Sequence, residues 1–185
     1  MGWRDCAILQ TGVMEQLKKD IPIHDFSPED DLGNLKMRYE ALNVRNDYDI
    51  SEPHRHMYYE LFFFKKGGGA HFIDFIEHRI NDNSVHLIMP GQVHLLRRHP
   101  SSHGAVIHFK KETAMQLPQV YSILQNAASP IFDQDEVAFK PIQTILSQLE
   151  EAVKSEEQNI DEITACLWHM LLKVTAAQKH TRIKY

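Results

Sequence analysis

The chain has 185 residues, 43 % of them apolar, a formal charge of −5 and a pI near 6.2. That suits one domain with a real core, rules against wholesale disorder, and gives no sign of a basic face for gripping nucleic-acid phosphates. Two distant cysteines, Cys6 and Cys166, make neither a disulfide framework nor a Cys-based zinc pattern, so a cytoplasmic location is expected.

Residues 1–34 read as an N-terminal arm. "MGWRDCAILQ" has no apolar stretch of signal length, "AILQTGVMEQLKKD" is weakly helical, and "IPIHDFSPEDDLGN" reads as loop. No segment of the chain approaches the ~20 apolar residues that cross a bilayer, so no membrane partner is expected.

Residues 35–111 read as strands and turns. "LKMRYEALNV" alternates moderately, and the aromatics of "MYYELFFFKK" favour a strand. "KKGGGAHFIDF" adds a turn and a second strand, which predicts a hairpin. In it Gly67–Gly69 supply a turn with positive φ, not a phosphate cradle, because no Lys-Ser or Lys-Thr and no helix follows. "HRINDNSVHLIMP" predicts strand, turn at Asn81–Ser84, strand; "VHLLRRH" and "HGAVIHFKK" follow on either side of "PSS". Short strands at this spacing predict an all-β sandwich or barrel. Core packing is the default for Tyr58, Phe62, Phe64, Phe72 and Phe75, a few of which could line a pocket.

Residues 112–178 change character. Ile142, Ile145, Leu146, Leu149 and Val153 share one helical face, with Pro141 near its start. Ile160, Ile163, Leu167, Met170, Leu171 and Val174 form a second stripe, and Asn159 with Glu162 resembles a capping box. A short polar connection between them predicts an antiparallel helical hairpin. The chain closes on a mildly basic tail, 179–185.

Chemistry concentrates in "EPHRHMYYELFFFKKGGG", residues 52–69. On a strand, His54 and His56 point to one side, with α-carbons about 6.5 Å apart. Glu60 has the same parity, but a straight strand would carry it roughly 13 Å beyond His56. Convergence on one ion therefore requires a bend within Met57–Tyr59. His94, just after the Pro90-Gly91 turn, could enter from a neighbouring strand. Tyr58 shares the parity of His56. Three readings stand side by side: a metal site, polar contacts for a small molecule, and a hydrogen-bonded layer with no function. A metal held by His54, His56, Glu60 and His94 would be zinc, nickel, iron or manganese, with open positions. No other cofactor is indicated.

The pattern His54-x-His56-x-x-x-Glu60, then six residues to Gly67, is similar to the first cupin motif, and Pro90-Gly91-x-x-His94 resembles the second. Tyr48 stands in place of the usual leading glycine, Arg98 in place of an asparagine, and Pro90 directly precedes Gly91. With the helical tail, these departures resemble one branch: the effector-binding and dimerisation domain of AraC-type transcription regulators. The resemblance implies a mostly β, cupin-type double-stranded barrel (a jelly roll) followed by the helical hairpin. It also implies a small-molecule effector, a sugar among the candidates, bound near His54, His56, Tyr58, Glu60 and His94. The helices would support a homodimer, and 179–185 would lead to a DNA-binding domain beyond this chain. The rival reading is a metal-dependent cupin enzyme, a dioxygenase or sugar isomerase, for which the four potential ligands speak.

Overall fold

The computed structural model describes residues 21–25, 37–43, 52–116, 118–127, 129–155 and 160–181. The strands are β1 (Ile23–His24), β2 (Met37–Leu42), β3 (Arg55–His56), β4 (Tyr59–Lys66), β5 (Gly69–Ile73), β6 (Ile76–Arg79), β7 (Ser84–Ile88), β8 (His94–Arg98), β9 (His103–Phe109) and β10 (Ile131–Asp133). Five form an antiparallel sheet in the order β10-β7-β4-β9-β2, and three form a second in the order β6-β5-β8. β1 and β3 pair in parallel. Among the described residues no ladder joins the larger sheets, so the cupin-type barrel is built as two facing sheets and not as a closed cylinder.

β4 shows why the sequence folds this way. Every residue from Tyr59 to Phe64 is buried. A strand with one wet face would alternate; this one is covered on both. Phe62 and Phe64 point between the sheets, where they meet Leu42, Ile88 and Val106 of the large sheet and Ile73 and Leu96 of the small one. Tyr59, Leu61 and Phe63 point outward into a second apolar layer.

Helices α1 (Lys111–Met115), α2 (Pro118–Gln125), α3 (Glu136–Lys154) and α4 (Ile160–Thr181) supply that outer layer. Phe139, Ile142, Leu146 and Leu149 of α3, with Ile163, Leu167 and Met170 of α4, bury against Leu61, Phe63, Val85, Leu87 and Ile107. The expected helical hairpin is thus the lid on the back of the large sheet. Asp135 caps α3, its side chain accepting from Ala138 N at 2.8 Å. The cap starts the helix five residues ahead of Pro141, which therefore lies inside it, not at its first turn.

Three expectations need correction. "KKGGGAHFIDF" is not a hairpin: β4 pairs with β7 and β9, while β5 pairs with β6 and β8. The chain crosses from one sheet to the other at Gly67–Gly69, and the glycines serve that corner. A Cβ on Gly67 would lie 2.4 Å from the Asn81 backbone; one on Gly69, at φ +89°, would lie 2.1 Å from Arg97 O. The true hairpin is β5–β6, turned by Asp74 and Phe75 at φ 47° and 68°. Asp74 is held there by accepting from Val93 N and Gln92 Nε2, so Phe75 rides the turn at 51 % exposure and is no core residue. Within 112–135, the residues ahead of α3 also form α1, α2 and β10, which extends the large sheet beside β7. The weak helix in 8–17 and the Asn159 cap lie outside the described residues.

Candidate functional site

The bend that the His54–Glu60 spacing demands is present. β3 ends at His56, Met57 and Tyr58 turn, and β4 begins at Tyr59. The segment also changes partners there. His54 bridges His94 of β8, Arg55 and His56 pair with β1, and Glu60 joins β7 and β9 in the large sheet. His56 and Glu60 thus reach the interior from different sheets, and four residues of separation become side-chain contact.

His56, Glu60 and His94 converge, each offering one donor atom within 4.8 Å of the others. All three are almost fully buried, at 0 %, 1 % and 1 % exposure. His56 Nε2 lies 3.0 Å and His94 Nε2 3.4 Å from Glu60 Oε2. His56 Nε2 faces the carboxylate as an ion pair, whereas His94 Nε2 has no hydrogen-bonding partner. His56 is held from its far side, Nδ1 donating to Tyr58 O at 2.7 Å. This is the geometry of ligand atoms facing a common point.

His54 stands beside that triangle and not within it. Its ring lies 4.2 Å from that of His94 and 6.3 Å from that of His56, and its Nδ1 bonds Glu52 O at 3.2 Å. Tyr58, half-buried, stacks on His56 at 4.2 Å and meets the His108 ring edge-on at 5.5 Å. It is the most accessible of the five residues singled out from sequence. His24, which the sequence leaves outside any cluster, has its ring 5.2 Å from that of His54.

Three more buried histidines belong to the site and were not singled out. His108, opposite Glu60 in the β4–β9 ladder, places Nε2 3.0 Å from Glu60 Oε1. His71 Nε2 lies 3.1 Å from His94 Nδ1, and His71 Nδ1 lies 3.1 Å from His86 Nδ1. His86 Nε2 lies 3.3 Å from Ser84 Oγ, which donates to Asn81 O at 2.8 Å. A sequence signal existed: "SVHLI" and "AVIHF" each interrupt an apolar strand with a histidine whose parity can face inward.

Burial sets the charges. It pushes His71 and His94 well below the usual imidazole range and His86 down to about 3, so these rings are neutral near pH 7. His54 is lowered for the same reason. Burial alone would raise Glu60, but charge on His56 and bonds from His108 and His56 overcome it and hold the carboxyl well below its ordinary value. The charge of this buried carboxylate is thus balanced by the imidazoles around it.

The family model for the AraC-like ligand binding domain matches residues 39–172. The chain belongs to this family. Among curated proteins none matches. The AraC-like transcriptional activator CuxR, a solved structure, is 10 % identical with a TM-score of 0.45, over 66 % of this chain and 42 % of that one. Apo ToxT from Vibrio cholerae is 13 % identical with a TM-score of 0.43, over 82 % of this chain and 57 % of that one. The chain thus spans about half the length of these two proteins. In this AraC-like domain the polar cluster sits between the two sheets, beneath β1 and Tyr58. Among the described residues no helix is long and apolar enough to cross a membrane.

Proposed function

We propose that this AraC-like domain senses a small molecule at the His56–Glu60–His94 cluster, with a divalent cation as part of the site and His54 and Tyr58 flanking it. The observation that supports this most is the buried His94 Nε2, which faces the Glu60 carboxylate at 3.4 Å, beside His56, without a hydrogen bond of its own. A purely structural layer would satisfy its own polar atoms, since an orphaned buried group costs about 1–3 kcal/mol. Two imidazoles and a carboxylate suit zinc, nickel, iron or manganese, and leave positions for oxygens of a hydroxylated effector such as a sugar. A bound cation would supply fixed positive charge and Lewis acidity there; the chain's own residues orient and desolvate the ligand.

The site also has something to signal through. β1 lies on β3 directly beside His56, and α3–α4 cover the opposite face of the same sheet that carries Glu60. An effector that prefers one placement of these elements shifts the balance by its differential affinity. In this reading 1–34 is an arm over the mouth, 35–111 the cupin barrel and 112–178 a helical subdomain serving a homodimer. Residues 179–185 lead to a DNA-binding domain that makes the DNA contacts, and the whole is cytoplasmic and non-catalytic.

The test begins with untagged, purified chain. Elemental analysis should find one divalent metal per chain, or restore one after chelation. Thermal shift should then show stabilisation by that metal and, on top of it, by a small polar molecule. Glu60→Gln should abolish the metal effect. If neither metals nor polar small molecules raise the melting temperature, the cluster is structural and the reading fails. The same donor set favours the second reading, a metal-dependent cupin enzyme; oxygen uptake or sugar isomerisation by metal-loaded protein would establish that one instead.

A further inference from the structure

The buried histidines form one continuous line across the interior, and its polarity follows from a single proton. Ser84 has one hydroxyl hydrogen, and it is donated to Asn81 O at 2.8 Å. Ser84 Oγ can therefore only accept from His86, so His86 Nε2 carries the proton in their 3.3 Å contact. A neutral His86 then has a bare Nδ1, which must accept from His71 Nδ1–H at 3.1 Å. That leaves His71 Nε2 bare, and it must accept from His94 Nδ1–H at 3.1 Å. His94 Nε2 is then a lone pair facing His56 and Glu60. The ring centroids are 5.3 and 5.4 Å apart along this line, the separation of imidazoles joined edge to edge through their nitrogens.

We propose that Ser84, His86 and His71 are positioning residues that lock His94 in its Nδ1–H tautomer and so present its Nε2 lone pair to a divalent cation shared with His56 and Glu60. His56 is oriented the same way by donating Nδ1–H to Tyr58 O. A lone pair on His94 Nε2 beside the Glu60 carboxylate repels an anion and favours a metal ion. The tautomer assignment follows from the hydrogen-bond line for neutral rings; its consequence for affinity rests on the cation reading given above. A neutral hydroxylated ligand would need no fixed tautomer, since a hydroxyl both donates and accepts. The line of three rings leading from a single serine fits a site that must never offer N–H.

Long-range 1H–15N correlation of the imidazole rings reads tautomers directly. In the metal-free full chain near pH 7.5, His71 and His94 should appear as Nδ1–H and His86 as Nε2–H. Ser84→Ala removes the acceptor at the end of the line, so the three rings should become mixtures. Its zinc affinity, measured with zinc alone against a chromophoric chelator, should fall by about 10- to 100-fold. Ser84→Thr keeps a hydroxyl and should restore both. A merely structural Ser84 would lower melting temperature while leaving the ring signals and zinc affinity unchanged, and that result overturns the proposal. So does a wild-type His94 carrying its proton on Nε2. Tautomers as derived with no zinc bound would overturn the cation reading alone and leave the lock in place.

Discussion

Lowering the pH from 7 to 5 should cost the metal-free domain about 2 kcal/mol of stability through His86 alone. The ring is buried and its pKa is pushed down to about 3, whereas in the unfolded chain it titrates near its ordinary 6.5. Between those values the unfolded state binds the proton and the folded state does not, so stability falls as pH falls and levels off below about 3. From pH 7 to 5 nearly the whole loss comes from the unfolded side, at about 1.4 kcal/mol for each unit below 6.5. A folded pKa one unit higher or lower would hardly change the figure. His71 and His94 are shifted in the same direction and steepen the loss. Glu60 contributes in the same sense only below its ordinary carboxylate range, outside this window. Urea unfolding in the presence of chelator, at pH 7 and 5, measures the drop. His86→Asn should show a drop about 2 kcal/mol smaller than the parent, because one titrating ring has been removed. An identical drop in parent and variant would refute the idea that His86 is held neutral by burial.

Other perturbations test the frame around the site. Gly104→Ala should destabilise by about 3 kcal/mol or more, visible in denaturant midpoint, because its Cβ would lie 1.8 Å from Phe63 O in the β4–β9 ladder. Phe63→Ala should cost about 3–5 kcal/mol in the same assay, since that ring is fully buried where the large sheet meets the helices. Asp135→Ala should cost about 1 kcal/mol by removing the α3 cap, and Asp135→Ser should recover most of it, both read as shifts in melting temperature.

Strand periodicity and helical stripes were enough to recognise the two halves of the domain. The aromatics of "YELFFF" favour a strand, and the stripe Ile142, Leu146, Leu149 marks a helix face seeking cover. Local turn chemistry was less informative. Three glycines in a row looked like a hairpin because positive φ is the usual use of glycine there; the structure uses them for positive φ and for close backbone approach at a sheet-to-sheet corner. The Asp74–Phe75 turn carried no Asn-Gly signature, since its unusual φ values are held by Asp74's bonds to residues far along the chain.

His54, His56 and Glu60 were legible as sharing a side because strand parity is a local property, and parity alone demanded the break after His56; His94 entered from the turn at Pro90-Gly91 that precedes it. Parity says which side chains share a face but not which face lies inside when both are apolar. For that reason His71, His86 and His108 passed as ordinary strand residues: only the stacking of one sheet on another shows that their side faces Glu60. The same packing, not the spacing, moved His54 out of the donor triangle. Sequence thus determined the elements, their faces and the candidate polar residues, through short-range backbone geometry. Which of those residues meet, and in what protonation state, was decided by burial between two sheets whose pairing spans the chain.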